Sequence, residues 1–328
     1  MITEISYNSL LEEMNRLGEA KTPFVFAINF EKSFGFILPH PENQTEVLYS
    51  TQKYSNSSSP SPKRVLTLKA MPESFEIYSK RFDRVMKGLK RGDTFLTNLT
   101  VRTPISLSHN LEEVFLHSKA KYKMYLKDKW VCFSPETFIT IDEAGNISSH
   151  PMKGTIDATI PNAENIILSD YKETAEHHTI VDLIRNDLNV VAENVRVEKF
   201  RYIDKIVSPQ GELLQVSSTI TGKLPKDWRQ NLGSIIDKLL PAGSISGAPK
   251  EATLQIIREA EQLPRGYYTG IMGIFDGETV DTGVIIRYIE KEGASYFFRS
   301  GGGITINASA ENEYREVSQK IYIPHGRY

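Results

Sequence analysis

An α+β fold is predicted from three observations. Strand-like runs come in hairpin-like groups, amphipathic helical stripes separate those groups, and neither a fixed-period repeat nor a regular strand–helix–strand succession runs through the chain.

Near the N-terminus Leu10, Leu11, Met14 and Leu17 recur at helical spacing, and Gly18 stands where a helix would stop. FVFAINF (23–29) and the run from Phe34 to Leu38 read as strands. SNSSSPSPKR (55–64) is a low-complexity stretch, expected as a mobile surface loop. Phe75, Tyr78, Phe82, Val85 and Leu89 form a helical stripe that ends at Gly92. Asn110 and Glu113 make a capping-box pair that opens a short helix. Tyr122 to Leu126, Trp130 to Phe133 and Phe138 to Asp142 follow as strands, and the alternation of TFITID predicts one buried face. From Asp170 the period is helical again, with Ile180, Leu183, Ile184 and Leu188 on the apolar side. Ile235, Ile236, Leu239 and Leu240 mark another helix, and GSISGAPK (243–250) leads into one carrying Leu254, Ile257 and Ala260. YTGIMGIF, VIIRYIE and SYFFRS read as strands, followed by glycines 301–303 and a helix near Glu311 to Lys320.

Composition narrows the class. With 40% hydrophobic and 24% charged residues the chain can bury a large core. A net charge of −2 gives no global reason to bind nucleic acid or an anionic membrane. The lone cysteine, Cys132, excludes an intrachain disulfide and C-x-x-C motifs. No apolar run approaches the roughly 20 residues of a membrane span, and the N-terminus lacks a signal-peptide pattern, so a cytoplasmic location is expected.

Chemistry must then come from local motifs, each with two readings. Glu173 and Glu176 share one helical face, as do Glu313 and Glu316. Glu176 precedes Ile180 by four residues, which continues the apolar stripe. Acids so placed are either a solvated face or the ligands of a buried cation, for which Mg²⁺ is suited. Lys153, between Pro and Gly in PMKGT, is an exposed loop residue or a nucleophile whose pKa is lowered by desolvation. Glu136 in SPETF is a turn residue or a general acid. GSISGAPK is a plain helix entry or an anion-binding loop, and it is not a Walker A loop. Arg287, read as part of the apolar strand VIIRYI, requires an anion, from an internal acid or a substrate carboxylate. Glycines 301–303 form a bulge or let backbone amides approach a ligand, and Tyr268 stands nearby in RGYYTG.

Taken together and in order, PMKGT, KETAEHHTIVDLIRNDL, GSISGAPK, RGYYTGIMG, VIIRYIE, GGGIT and ENEYREVSQK resemble the chorismate-utilising enzymes. The resemblance runs from about Phe75 to Lys320. It implies two large packed antiparallel sheets flanked by helices, with residues 71–328 as catalytic core and 1–70 as a shortened N-terminal segment of the same unit. It further implies Mg²⁺ held directly by Glu176 and Glu316, with Glu173 and Glu313 behind them. Arg287, Tyr268 and the amides of Gly302 and Gly303 would cradle the enolpyruvyl carboxylate, with Ser246 and Lys320 near the substrate.

Single positions then select among branches. Isochorismate and salicylate synthases of the family carry a lysine base where this chain has Leu96, and leucine cannot deprotonate water. Anthranilate synthases usually have alanine at the position of Lys153, whereas PMKGT is similar to the P-I-K-G-T of the aminodeoxychorismate-forming branch. Gln215 stands where many relatives have histidine, which also disfavours pyruvate elimination. The implied reaction is amination of chorismate by Lys153 and Glu136, with ammonia from a glutamine amidotransferase subunit. The alternatives are an anthranilate synthase large subunit or a non-catalytic chorismate-binding relative. No L-L-E-S-type segment is present, so tryptophan feedback is not expected.

Overall fold

The computed structural model describes residues 2–57, 66–208 and 211–324. Most of the 55–64 stretch therefore lies outside the described residues. Within them the chain forms two large sheets whose neighbouring strands all pair antiparallel, one of ten strands and one of eight. The expected architecture of two antiparallel sheets flanked by helices is what the chain adopts.

The strand Phe24–Ile28 is buried throughout because it lies in the middle of the ten-stranded sheet, between Phe34–Pro39 and Ile271–Phe275. Thr137–Ile141 lies in the same sheet, and its alternation does not produce one exposed face: Thr140 alone is half-buried. Helices cover the outer side of one face and the second sheet covers the other. The layer between the sheets joins Val25, Ala27, Met272 and Ile274 of the first to Tyr49, Met124, Trp130 and Cys132 of the second. Cys132 is fully buried there, against Met272. Outside the first sheet Leu10, Met14, Leu17, Trp228, Ile235 and Ile236 make a helix-on-sheet core. Outside the second, Tyr78, Phe82 and Val85 pack with Leu99, Ile256 and Val317. Strands before residue 70 join both sheets. No described helix is long and apolar enough to cross a membrane.

Local signals mostly hold. Asn110 and Glu113 form the reciprocal capping box, and the stripe from Phe75 ends at Gly92. Gly18 does not stop its helix, which runs Tyr7–Glu19. It is a contact point instead, because a Cβ there would lie 2.1 Å from the Arg229 carbonyl oxygen. Gly18→Ala should therefore destabilise the protein despite alanine's better helix propensity, by about 1–3 kcal/mol of overpacking strain. A lowered midpoint in denaturant unfolding checks this.

VIIRYIE is two strands. Val280–Val284 belongs to the first sheet and Tyr288–Glu292 to the second. The chain crosses between sheets at 285–287, where Arg287 takes φ 53°. A second crossing lies beside it, from Trp130–Ser134 to Thr137–Ile141 through Glu136. The two crossings are tied together by Val284 N–H donating to Glu136 O and Phe133 N–H donating to Arg287 O, both at 3.1 Å.

Candidate active site

These paired crossings bring Glu136 and Arg287 to one place from 151 residues apart in sequence. Arg287 thus sits at a bend and not within a strand, and its guanidinium lies over the Tyr322 ring. Glu136 is half-buried, and partial desolvation pushes its carboxyl above the ordinary range. Ser244 Oγ, donating to Glu136 Oε1 at 2.5 Å, and the charges of Lys153, Lys320 and Arg287 pull the other way. A carboxyl group so placed keeps its proton to higher pH than a free one does, as a general acid requires. A small cavity opens beside it, lined by Ser244, Ile184, Leu188 and Leu239 among others.

Lys153 lies on a strand, Met152–Asp157, not in a tight loop. The Pro–Gly flanks misled because Gly154, with φ 73°, makes a bulge within that strand. Lys153 Nζ donates to Glu176 Oε2 at 2.8 Å. Burial alone would lower its pKa, but the carboxylates of Glu176, Glu173 and Glu316 outweigh that, and the ammonium is held above its ordinary value.

Glu173 and Glu176 project from the helix Tyr171–Asn189, capped by Asp170, which accepts from Glu173 N–H. The next residue, His177, is fully buried. Ser218 Oγ accepts from Arg201 N–H and shares a hydrogen bond with His177 Nε2, 2.7 Å away. Burial pushes that imidazole down to about 4, so it is neutral and latches the acid-bearing helix to the strand beside Lys153. Glu313 and Glu316 come from the helix Ala310–Gln319. Glu313 is buried, whereas Glu316 is half-exposed and pairs with Lys320 at 2.7 Å, so the second acidic pair points only partly inward.

The glycines at 301–303 are not a bulge; they continue the regular ladder of Ser295–Ile304 against Leu96–Leu107. Their missing side chains make room. A Cβ on Gly302 would meet Glu313 Oε2 at 3.3 Å, Glu316 Oε1 at 3.7 Å and Lys320 Nζ at 3.8 Å. One on Gly303 would meet Leu96 Cδ1 at 3.1 Å and Lys153 Nζ at 4.0 Å. Lys320 Nζ also donates to Gly301 O. Tyr268 is buried within reach of Arg287, and burial pushes its hydroxyl up to about 12. The Ser246 hydroxyl is fully buried and donates to Ala242 O. Ser244, two residues earlier, bonds to Glu136, and the sequence motif contained it without marking it. Gln215 pairs with Thr155, on the strand that carries Lys153.

The four acids are therefore near one another, but two of them face lysines. Among the described residues no three acid, histidine or cysteine side chains converge closely enough to hold a metal as they stand. The donor chemistry still suits a hard dication: carboxylates from two helices meet around Lys153 and Gly302, and Glu313 is buried.

Paired sheets, with an acid and an arginine held where the chain crosses between them and a lysine close by on a strand of the first sheet, suit a site for a small anionic molecule. The chain belongs to the chorismate binding enzyme family, whose profile matches residues 35–324. It is 47% identical over 315 residues, 96% of each chain, to an uncharacterized PabA-like protein of Haemophilus influenzae. It is 30% identical over 268 residues to aminodeoxychorismate synthase component 1 of Bacillus subtilis, covering 77% of this chain and 56% of that one. Anthranilate synthase component I from Streptococcus pneumoniae superposes with a TM-score of 0.66 at 25% identity, over 78% of this chain and 58% of that one.

Proposed function

We propose that this chain is the synthase component that converts chorismate and ammonia to 4-amino-4-deoxychorismate. The observation that carries the reading is Lys153 beside Gly303, with Glu136 facing it from the sheet crossing and the acids around it. Residues 1–70 and 71–328 act in this reading as one unit, and ammonia comes from a glutamine amidotransferase subunit.

Arg287, Tyr268 and the Gly302–Gly303 backbone receive the enolpyruvyl carboxylate. Glu176 and Glu316, supported by Glu173 and Glu313, would hold Mg²⁺, and Lys320 lies beside them. The ion would supply positive charge for the ring carboxylate and, by meeting the acids that hold Lys153 as an ammonium, favour the neutral amine. Neutral Lys153 attacks C2 of chorismate as Glu136 protonates the departing C4 hydroxyl, which leaves as water. Ammonia then attacks C4 and expels the lysine amine, so two displacements replace one difficult step. Leu96, against the position of Gly303, keeps a second base away from the ring.

Consumption of chorismate with Mg²⁺ and ammonium, its loss with EDTA, and no consumption with glutamine alone would support this reading. Turnover unaffected by EDTA would contradict the metal.

The Ser244 hydrogen bond gives a pH test. It stabilises the Glu136 carboxylate, so Ser244→Ala raises the Glu136 pKa further. A general acid must be protonated, so its activity is lost as pH rises through its pKa. The basic limb of kcat that belongs to Glu136 should therefore move to higher pH in Ser244→Ala. A limb that stays in place would separate Ser244 from the acid.

A further inference from the structure

We propose that Asn98 is a further substrate-contacting residue, whose side-chain oxygen accepts a hydrogen bond from a ligand O–H or N–H in this site. The inference rests on the proposed function. Leu96, Asn98 and Thr100 alternate onto one face of their strand, and Gly303 and Gly301 are the partners of Asn98 and Thr100 on the neighbouring one. That face looks toward Lys153, because the Cβ direction of Gly303 leads to Leu96 and the lysine amine. A Cβ on Gly301 would lie 3.3 Å from Asn98 Oδ1, so the amide stands beside the glycine run on the same face.

The Asn98 backbone is fully engaged. Its N–H donates to Ser246 O at 2.9 Å, and its carbonyl accepts from Arg265 Nη2 at 2.7 Å. Its side-chain Oδ1 is shut off from solvent and has no hydrogen-bond partner. A buried amide oxygen left unpaired is costly, and a leucine of similar size would avoid the cost. Neither the neighbouring glycines nor Leu96 offers a side-chain donor. The cationic groups of the site, Lys153, Lys320 and Arg287, are suited to the anionic parts of the ligand. An uncharged acceptor suits an uncharged donor, either a ring hydroxyl of chorismate or the incoming ammonia.

The test compares the parent protein with Asn98→Leu, and with Asn98→Ala should leucine prevent folding. Chorismate affinity is measured by calorimetry with Mg²⁺ and no ammonia, and ammonium KM and kcat by steady-state kinetics. Unfolding midpoints are measured alongside. A ring-hydroxyl contact weakens chorismate binding by about tenfold in the variant. An ammonia contact leaves that affinity unchanged and raises ammonium KM by about tenfold. Either result, with stability unchanged or increased, supports the inference. A variant that matches the parent in affinity, KM and kcat overturns it, as does a variant that only loses stability. A parent that does not bind chorismate overturns the proposed function and this inference together.

Discussion

Lys153→Ala should reduce amination of chorismate by at least about 10³-fold, because the amine is assigned the bond-making step and no neighbouring group can replace it. Leu96 and the glycines beside it carry no nucleophile, and Lys320 is engaged by Glu316 and by Gly301 O. Chorismate affinity should change far less, since Arg287, the Gly302–Gly303 backbone and the acid cluster remain. Parent protein incubated with chorismate but no ammonia should also carry an adduct at Lys153, detectable by peptide mass spectrometry, and the variant should not. The variant removes a cation from among Glu173, Glu176 and Glu316, so its unfolding midpoint must be measured before the rate is interpreted. Normal amination by a folded Lys153→Ala protein would remove the covalent step and leave the fold assignment untouched.

Glu136→Gln should lower kcat by about 10²–10⁴-fold, the usual contribution of a positioned general acid. The substitution nearly preserves shape, and the Gln carbonyl can still accept from Ser244 Oγ. What it loses is the acidic proton delivered to the C4 hydroxyl. It also removes a potential negative charge from a site that must accept a dianion, so chorismate affinity should be unchanged or tighter. The basic limb of the pH–rate profile should disappear in this variant, whereas Ser244→Ala only displaces it. A Glu136→Gln protein with near-normal kcat would assign the proton transfer elsewhere.

The helices that carry the acids were legible in the sequence because their signals are local. Asp170 caps one within three residues, and each Glu pair lies a single turn apart. Strands such as Phe24–Ile28, Tyr122–Leu126 and Ile271–Phe275 were legible for the same reason, whereas Leu96–Leu107, Glu193–Ser208 and Gly211–Lys223 were not. What lay beyond reach was where the chain changes sheets. VIIRYIE contains no glycine or proline, and only the pairing of its two halves with different partners reveals the break at Arg287. The flanks of Lys153 suggested a loop because a glycine bulge inside a strand has the same composition as a turn. Gly18 looked like a stop because its contact, the Arg229 carbonyl, is more than 200 residues away. Ser244 and Asn98 carried no local mark: one matters through Glu136, the other through an unpaired oxygen.

Product identity tests the central claim most directly. Purified protein is incubated with chorismate, Mg²⁺ and ammonium, and the product is identified by chromatography and mass spectrometry against standards. The account predicts 4-amino-4-deoxychorismate. Anthranilate or isochorismate as the main product would contradict it.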